Sequence, residues 1–443
     1  MAILHITIPN NNISEREYLI DTVFTHFLGL EYTIKISDKE NDWRIFVEQS
    51  ELIIKDYFFS HFPQELSYLS SLNIPHSIIW GKNDYINEKD IPIIYGNEKI
   101  HITKNKIICN IDIFASIFFM LTRWEEYINN NLRDIHNRFE AKDSLAFKLN
   151  FLHRPIVNEY IEMIWNMLIS LGTNNDRKKR NFNLILTHDI DYFSYPKQKK
   201  VKALLGDILK RRKFENFFPK LNNLFFNDPY KCYDWLMDIS EENNLKSHFY
   251  FMASNNISPL EDTVFYIDNK LFKSVFKKIL KREHIIGFHP GYYTYNDPQI
   301  WLNEKKMLEN KLEITVNEGR QHYLRFEIPS TYEIWYNNGM QTDSSIGYAT
   351  KEGFRCGTGD DFFVFNFLTR KKLRLLERPL VIMDGTLNGY NNYSLNEIYG
   401  IFKYYIDTSK KYKSKLTILF HNSSFDEINW KSWRELYQTI CKV

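Results

Sequence analysis

A chain of 443 residues is longer than one hydrophobic core usually serves, so two domains are expected. With 44% hydrophobic and 25% charged residues it reads as an ordinary globular protein, and a formal net charge of +2 excludes a dedicated nucleic-acid binder, which needs a large, patterned basic excess. The four cysteines, Cys109, Cys232, Cys356 and Cys441, follow no framework or metal-binding spacing and are expected as reduced thiols of a cytoplasmic protein.

The opening MAILHITIPNNNISERE has no basic leader and alternates as a strand does over Leu4 to Ile8, so no signal peptide is expected. Ser14-x-x-Glu17 has the form of a capping box and predicts a helix through about Leu28. Strands are predicted at Trp43 to Val47, Glu51 to Ile54, Pro92 to Tyr95 and Lys99 to Thr103. Helices are predicted at Ile111 to Tyr127 and Pro155 to Leu171. The most apolar window, Ile111 to Leu121, is too short to span a bilayer, so no transmembrane segment is expected. Gly172 to Asn181, polar and charged, is the predicted linker between an N-terminal α/β domain (residues 1–171) and a second domain (residues 182–443).

Beyond the linker, strands and helices alternate. A strand ends in THDID, then come a helix near Tyr230 to Asn243, a strand His248 to Met252, a helix Leu271 to Lys281, and a strand Ile285 to Phe288. A helix from about Asp297 to Leu312 and a strand Tyr323 to Phe326 complete the series. This order predicts a parallel sheet or barrel with crossover helices. The segment Lys197 to Lys220 is the most basic; it reads as a solvated helix face, or as a peripheral contact with a membrane surface or a phosphate-bearing substrate.

Four apolar strands end in polar chemistry. LILTHDID closes on His188, Asp189 and Asp191, IIGFHPGYY on His289 with Tyr292 beyond, QHYLRFEIP carries His322 and Arg325, and LTILFHNSS ends in His421. Buried carboxylates and imidazoles at a strand end are costly unless paired or bound to a metal, and parallel strands bring their carboxyl ends to one place. Period two puts Asp189 and Asp191 on one side of the chain and points His188 to the other. Arg355, in GFRCGTGDD, suits either a loop that clamps an anionic or hydroxylated substrate or an internal salt bridge.

These motifs resemble the polysaccharide deacetylases, the NodB-homology superfamily of carbohydrate esterase family four. THDID, GFHPGYY, RQHYLRF, DSSIGY (343–348) and GFRCGT (353–358) are similar to a divergent bacterial branch. In that branch an uncharacterised N-terminal domain carries sequences like FFMLTRWEEY (118–127) and HRPIVNEY (153–160). The resemblance implies a deformed (β/α) barrel preceded by a smaller α/β domain. It also implies one divalent metal, zinc foremost, and removal of an N-acetyl group from an amino sugar or glycan precursor. By position, Asp189 would be the general base, Asp191 and His289 metal ligands, Arg325 the partner that orients the base, and His421 the acid for the leaving amine. The chain departs from the family at Tyr293, where a second metal His is usual; His188 or His322 would then complete the set, with His322, Tyr292 and Arg355 otherwise expected on the substrate. The division between Asp189 and Asp191 could also be reversed. Hydrolysis of another C–N bond, or carbohydrate binding without catalysis, are the rival functions.

Overall fold

The computed structural model describes residues 3–195, 201, 217–225, 228–253 and 270–443. Apart from residues 201 and 217–220, the basic segment expected as a surface contact lies outside them. Two large sheets organise the chain.

The N-terminal sheet has six strands, in spatial order Tyr32–Ser37, Leu4–Pro9, Trp43–Val47, Ser50–Ile54, Lys106–Ile111 and Gly96–Thr103. Helices Ile13–Ile20 and Ile156–Ser170 pack on it. The first helix starts one residue before Ser14, with Asn12 as its cap, so the expected capping box is not formed; it continues as a π-helix to Leu28. The single helix expected over Ile111 to Tyr127 is two, Ile113–Thr122 and Trp124–Ile128, broken at Arg123 in a left-handed conformation. The break has an electrostatic cause. It lets the fully buried Arg123 guanidinium turn back onto both Glu125 and Glu126.

The second sheet has nine strands. Seven run parallel in spatial order Thr342–Asp343, Glu318–Gly319, Ile285–Phe288, Ser247–Phe251, Asn183–Ile190, Lys415–Leu419 and Leu380–Met383. Lys371–Glu377 adds an eighth parallel strand beyond Thr342–Asp343, and Phe362–Asn366 pairs antiparallel with it at the edge. The sheet curls until its ends approach: the Leu380 amide donates to Ile346 O (3.1 Å) and the Gly353 amide to Val381 O (3.0 Å). Asn183–Ile190 lies inside the sheet with helices on its outer face, and seven of its eight residues are buried, as expected of a covered parallel strand. Glu318–Gly319 and Thr342–Asp343 are only two residues long, and Gly319 passes Phe288 so closely that a Cβ there would stand 1.9 Å from Phe288 O. The strand expected over Tyr323 to Phe326 is instead a 3-10 turn, His322–Leu324.

The predicted linker has no helix or strand but is anchored throughout: Asn174 to Glu48 (2.7 Å), Arg177 to Glu162 (2.7 Å), the Lys178 amide to Leu28 O (2.7 Å), and Arg180 to Asp360. One apolar core runs from Leu4 to Cys441 across both sheets. Polar ties accompany it, such as the Tyr18 hydroxyl donating to Phe363 O (2.9 Å) and the Asn158 amide to Asp360 (2.8 Å). All four cysteines are buried and unbridged. No helix among the described residues is long and apolar enough to cross a membrane.

Candidate metal centre and its surroundings

Parallel pairing puts the carboxyl ends of five strands at one end of the curled sheet, and each delivers a polar residue within two positions of its last strand residue. These are Asp189 and Asp191, His289, Arg320, Asp384 and His421. Asp189, 2% exposed, lies on the same strand face as Thr187; the buried Arg320 guanidinium donates from one nitrogen to Thr187 Oγ1 (2.9 Å) and Asp189 Oδ1 (2.8 Å). Its other nitrogens hold Ser344 O and Ser344 Oγ, both at 2.8 Å. Asp189 Oδ2 is thereby turned toward His289, whose Nε2 is 3.9 Å away.

Asp191 stands among three imidazoles. Its Oδ1 is 3.3 Å from His289 Nε2 and 3.7 Å from His322 Nε2, and its Oδ2 is 3.7 Å from His421 Nε2. Burial works to raise its pKa, but His421, His322 and His289 together hold it far below the ordinary carboxylate range. One ligand atom each from Asp191, His289 and His322 lie within 4.8 Å of one another. A metal ion fits this donor set. His289 is buried, its Nδ1 is engaged with Arg320 O at 2.6 Å, and its Nε2 finds no hydrogen-bond partner among the described residues. An imidazole that gives one nitrogen to a backbone carbonyl and turns the other into a carboxylate–histidine cluster has the arrangement of a ligand.

On the far side, His421 Nδ1 pairs with Asp384 Oδ1 (2.7 Å). Asp384 Oδ2 accepts from the His421 amide (2.6 Å) and from the Ser424 hydroxyl. Burial would lower the His421 pKa, yet Asp384 and then Asp191 push it up to about 10. Both carboxylates thus favour the charged form of the His421 ring. A cavity of about 230 Å³ opens among these groups, lined by Asp189, Asp191, His289, His322 and His421 with Arg138, Tyr323, Leu324, Ala349, Met383, Gly385 and Tyr390.

Five of the expected site residues therefore meet: Asp189, Asp191, His289, His322 and His421. Four do not. His188 faces the other side of its strand, where Nδ1 meets Phe420 O (2.9 Å), Nε2 meets Ser247 Oγ (3.2 Å) and the ring stacks on Phe249. Strand alternation carries it away from the cluster, where His322 stands beside Asp191 and His289. Arg325 does not reach Asp189: it is sandwiched by the Tyr292 and Tyr295 rings (3.8 and 4.1 Å) and donates to His136 O and Tyr292 O. Arg320 occupies the expected place. Tyr292 stacks under Arg325 beyond the cavity wall, and Tyr293, in the family's second-His position, is half exposed. Arg355 forms the internal salt bridge, its guanidinium on both oxygens of buried Glu126 and on Gly347 O. Arg320, Asp384 and Arg138 were not anticipated. Asp384 carried a signal, since LVIMD repeats the pattern of an apolar strand ending in a carboxylate.

His188 yields a separable test. Burial, partly offset by Phe420 O and Asp189, takes its pKa down to about 4, against about 6.5 in an unfolded chain. Below pH 6.5 the unfolded state takes up a proton the folded state refuses, so this residue costs no stability above pH 6.5 and progressively more as the pH falls toward 4. Replacing it (His188→Gln) should therefore remove up to about 3 kcal/mol of acid sensitivity between pH 6.5 and 4 while leaving metal content intact. Urea unfolding of both proteins at pH 7 and pH 5 checks this; a constant stability difference across that range would show His188 to be unburied or already protonated.

Residues 4–173 match the model of a family of unknown function (DUF7033), less than half of the chain. No curated protein matches the sequence. Among solved structures, the chain is similar to a protein provisionally described as a polysaccharide deacetylase from Mycobacterium smegmatis, at 12% identity and TM-score 0.39, over 60% of this chain and 85% of that one. A mutant of BA3943, a CE4 family pseudoenzyme with restored enzymatic activity, matches at 11% identity and TM-score 0.26, over 59% of this chain and 64% of that one. The Xyl-CE4 domain of a multidomain xylanase from the hindgut metagenome of Trinervitermes trinervoides matches at 12% and 0.24, over 59% and 85%. At such scores it is the site's own geometry that bears on function.

Proposed function

We propose that this chain is a metal-dependent hydrolase that removes an N-acyl group, acetyl foremost, from an amino sugar or glycan precursor. The observation that carries the reading is one cavity flanked by three distinct functions: the Asp191–His289–His322 cluster, the Arg320-held Asp189 on one side, and the Asp384-held His421 on the other. The motif resemblance points the same way.

Asp191, His289 and His322 would hold a divalent metal, zinc foremost given two imidazoles and a carboxylate. When bound it supplies Lewis acidity to an amide carbonyl and lowers the pKa of a water. Asp189 acts as the general base: Arg320 fixes Oδ1, and Oδ2 is left facing the cluster to take the proton of the attacking water. His421 acts from the opposite side, as an imidazolium that gives its Nε2 proton to the departing amine. Asp384 sets the ring's orientation by holding Nδ1 and stabilises the charged form. An acid matched to nitrogen is what C–N cleavage needs, since an amine leaves poorly without a proton.

Acetate release by the zinc-loaded protein from N-acetylated mono- and oligosaccharides and nucleotide-linked N-acetyl sugars, compared with simple amides and cyclic ureides, tests the reading. Release from the sugars is expected. Turnover of amides or ureides alone would move the chain to another C–N hydrolase class, and binding of sugars with no stoichiometric metal would make it a carbohydrate-binding protein. A second check concerns the acid: Asp384→Asn should lower kcat by about 10–100-fold with metal content and far-UV circular dichroism unchanged. A native kcat in that variant would remove His421 from the mechanism.

A further inference from the structure

We propose that Arg138, supplied by the N-terminal part of the chain, is a positioning residue for the metal centre: it holds the strained turn that presents His322. This rests on the metal-centre reading above.

The turn is unusual backbone. Tyr323 (φ 62°) and Leu324 (φ 54°) are consecutive non-glycine residues in the left-handed region, directly after His322, and both line the cavity. Such residues are strained and persist only where surrounding contacts fix them. Backbone bonds hold part of it, from the Leu324 amide to Gln321 O (3.0 Å) and from the His322 amide to Pro290 O (3.1 Å), and a side-chain contact comes from the N-terminal part of the chain. Arg138 Nη1 donates to Tyr323 O (3.1 Å), while Nη2 donates to the hydroxyl of Tyr390 (3.2 Å) at the cavity mouth.

The guanidinium is itself held in place. Asp134 accepts the Arg138 Nε–H (2.8 Å) through Oδ2, and its Oδ1 accepts the backbone amides of His136 and Arg138 (2.9 Å each). The 129–140 loop is pinned to the barrel at both flanks of the turn. Arg133 donates to Phe326 O (3.1 Å), Arg325 donates to His136 O (2.7 Å), and Asn137 donates to the Tyr295 hydroxyl (2.6 Å). Arg138 is 7% exposed and is the residue of this loop that lines the cavity. A metal site whose third ligand sits on a turn of this kind depends on the element that holds the turn. The barrel alone lacks it.

Titration of the full-length, metal-stripped protein with cobalt(II), followed by visible absorption, tests the assignment without using activity. Native protein should bind one equivalent. Arg138→Ala should bind about 10–100-fold more weakly with a changed visible spectrum and native far-UV circular dichroism, and Arg138→Lys should recover part of both. If Arg138→Ala does not fold, Asp134→Asn, which loosens the guanidinium without removing it, is expected to weaken binding several-fold. Native cobalt affinity and spectrum in Arg138→Ala, or in Asp134→Asn where that variant stands in, would overturn the assignment and leave the proposed hydrolase intact. Failure of the native protein itself to bind cobalt would instead overturn the metal-centre reading.

Discussion

Replacing Asp189 by Asn is expected to lower kcat by roughly 10²–10⁴-fold while the protein keeps its metal. Asn is isosteric and preserves the acceptor that Arg320 uses at 2.8 Å, so the substitution deletes the basic Oδ2 and little else of the local geometry. It also deletes the carboxylate partner of a fully buried guanidinium, which retains Thr187, Ser344 O and Ser344 Oγ. Some loss of stability should accompany the kinetic effect, because a buried charge stripped of its counter-charge is costly. Metal analysis beside steady-state kinetics separates the two roles open to the carboxylates. Loss of metal from Asp189→Asn would mean that Asp189 is a ligand and Asp191 the base. The structure favours the assignment given, since Asp191 has an imidazole nitrogen within 3.7 Å of each of its oxygens whereas Asp189 has one oxygen committed to Arg320.

Removing His322 is expected to cost the metal itself. Three side chains contribute to the cluster, and taking one of its imidazoles away should weaken binding by more than the roughly 10–100-fold typical of losing a residue that only orients a ligand. His322→Ala should therefore leave the purified protein largely metal-free and inactive, whereas His188→Gln should leave metal content near native. The contrast is informative because the sequence offers both, His188 as the third ligand and His322 as its alternative. Equilibrium dialysis against zinc at controlled concentration measures both; equal retention by the two variants would remove His322 from the centre.

Part of this site was legible before any coordinates. Asp189, Asp191, His289 and His421 each follow an uninterrupted apolar run, and a parallel sheet converts that one-dimensional pattern into a common location. The alternation rule also turned His188 away, although the residue had been kept as a ligand candidate. What failed was placement within QHYLRF. The true strand is only Glu318–Gly319, too short for any periodicity to register, and the residues beyond it adopt positive φ that no propensity rule anticipates. The strand expected at Tyr323 to Phe326 puts Arg325 beside Asp189, whereas the guanidinium that contacts Asp189 is that of Arg320, five residues earlier. Arg138 had no local signal at all. Its relevance comes from a loop of the N-terminal part crossing to the barrel rim, a relation between residues 185 positions apart.

The break at Arg123 has the same lesson for the fold. Its helix was legible from apolar content, but the left-handed interruption exists because Arg123 reaches back to Glu125 and Glu126, and Glu126 in turn holds Arg355 of the barrel. The local pairs are joined to a distant one through Glu126, and a sequence window does not see that partner.

The central claim is that Asp191, His289 and His322 hold one divalent metal. Anomalous diffraction at the zinc edge from crystals of the zinc-loaded, full-length protein tests it most directly. A single strong peak about 2.0–2.2 Å from Asp191 and from the Nε2 atoms of His289 and His322 is predicted. A peak bonded to Asp189 in place of Asp191, a peak elsewhere in the chain, or no peak at saturating zinc would contradict it.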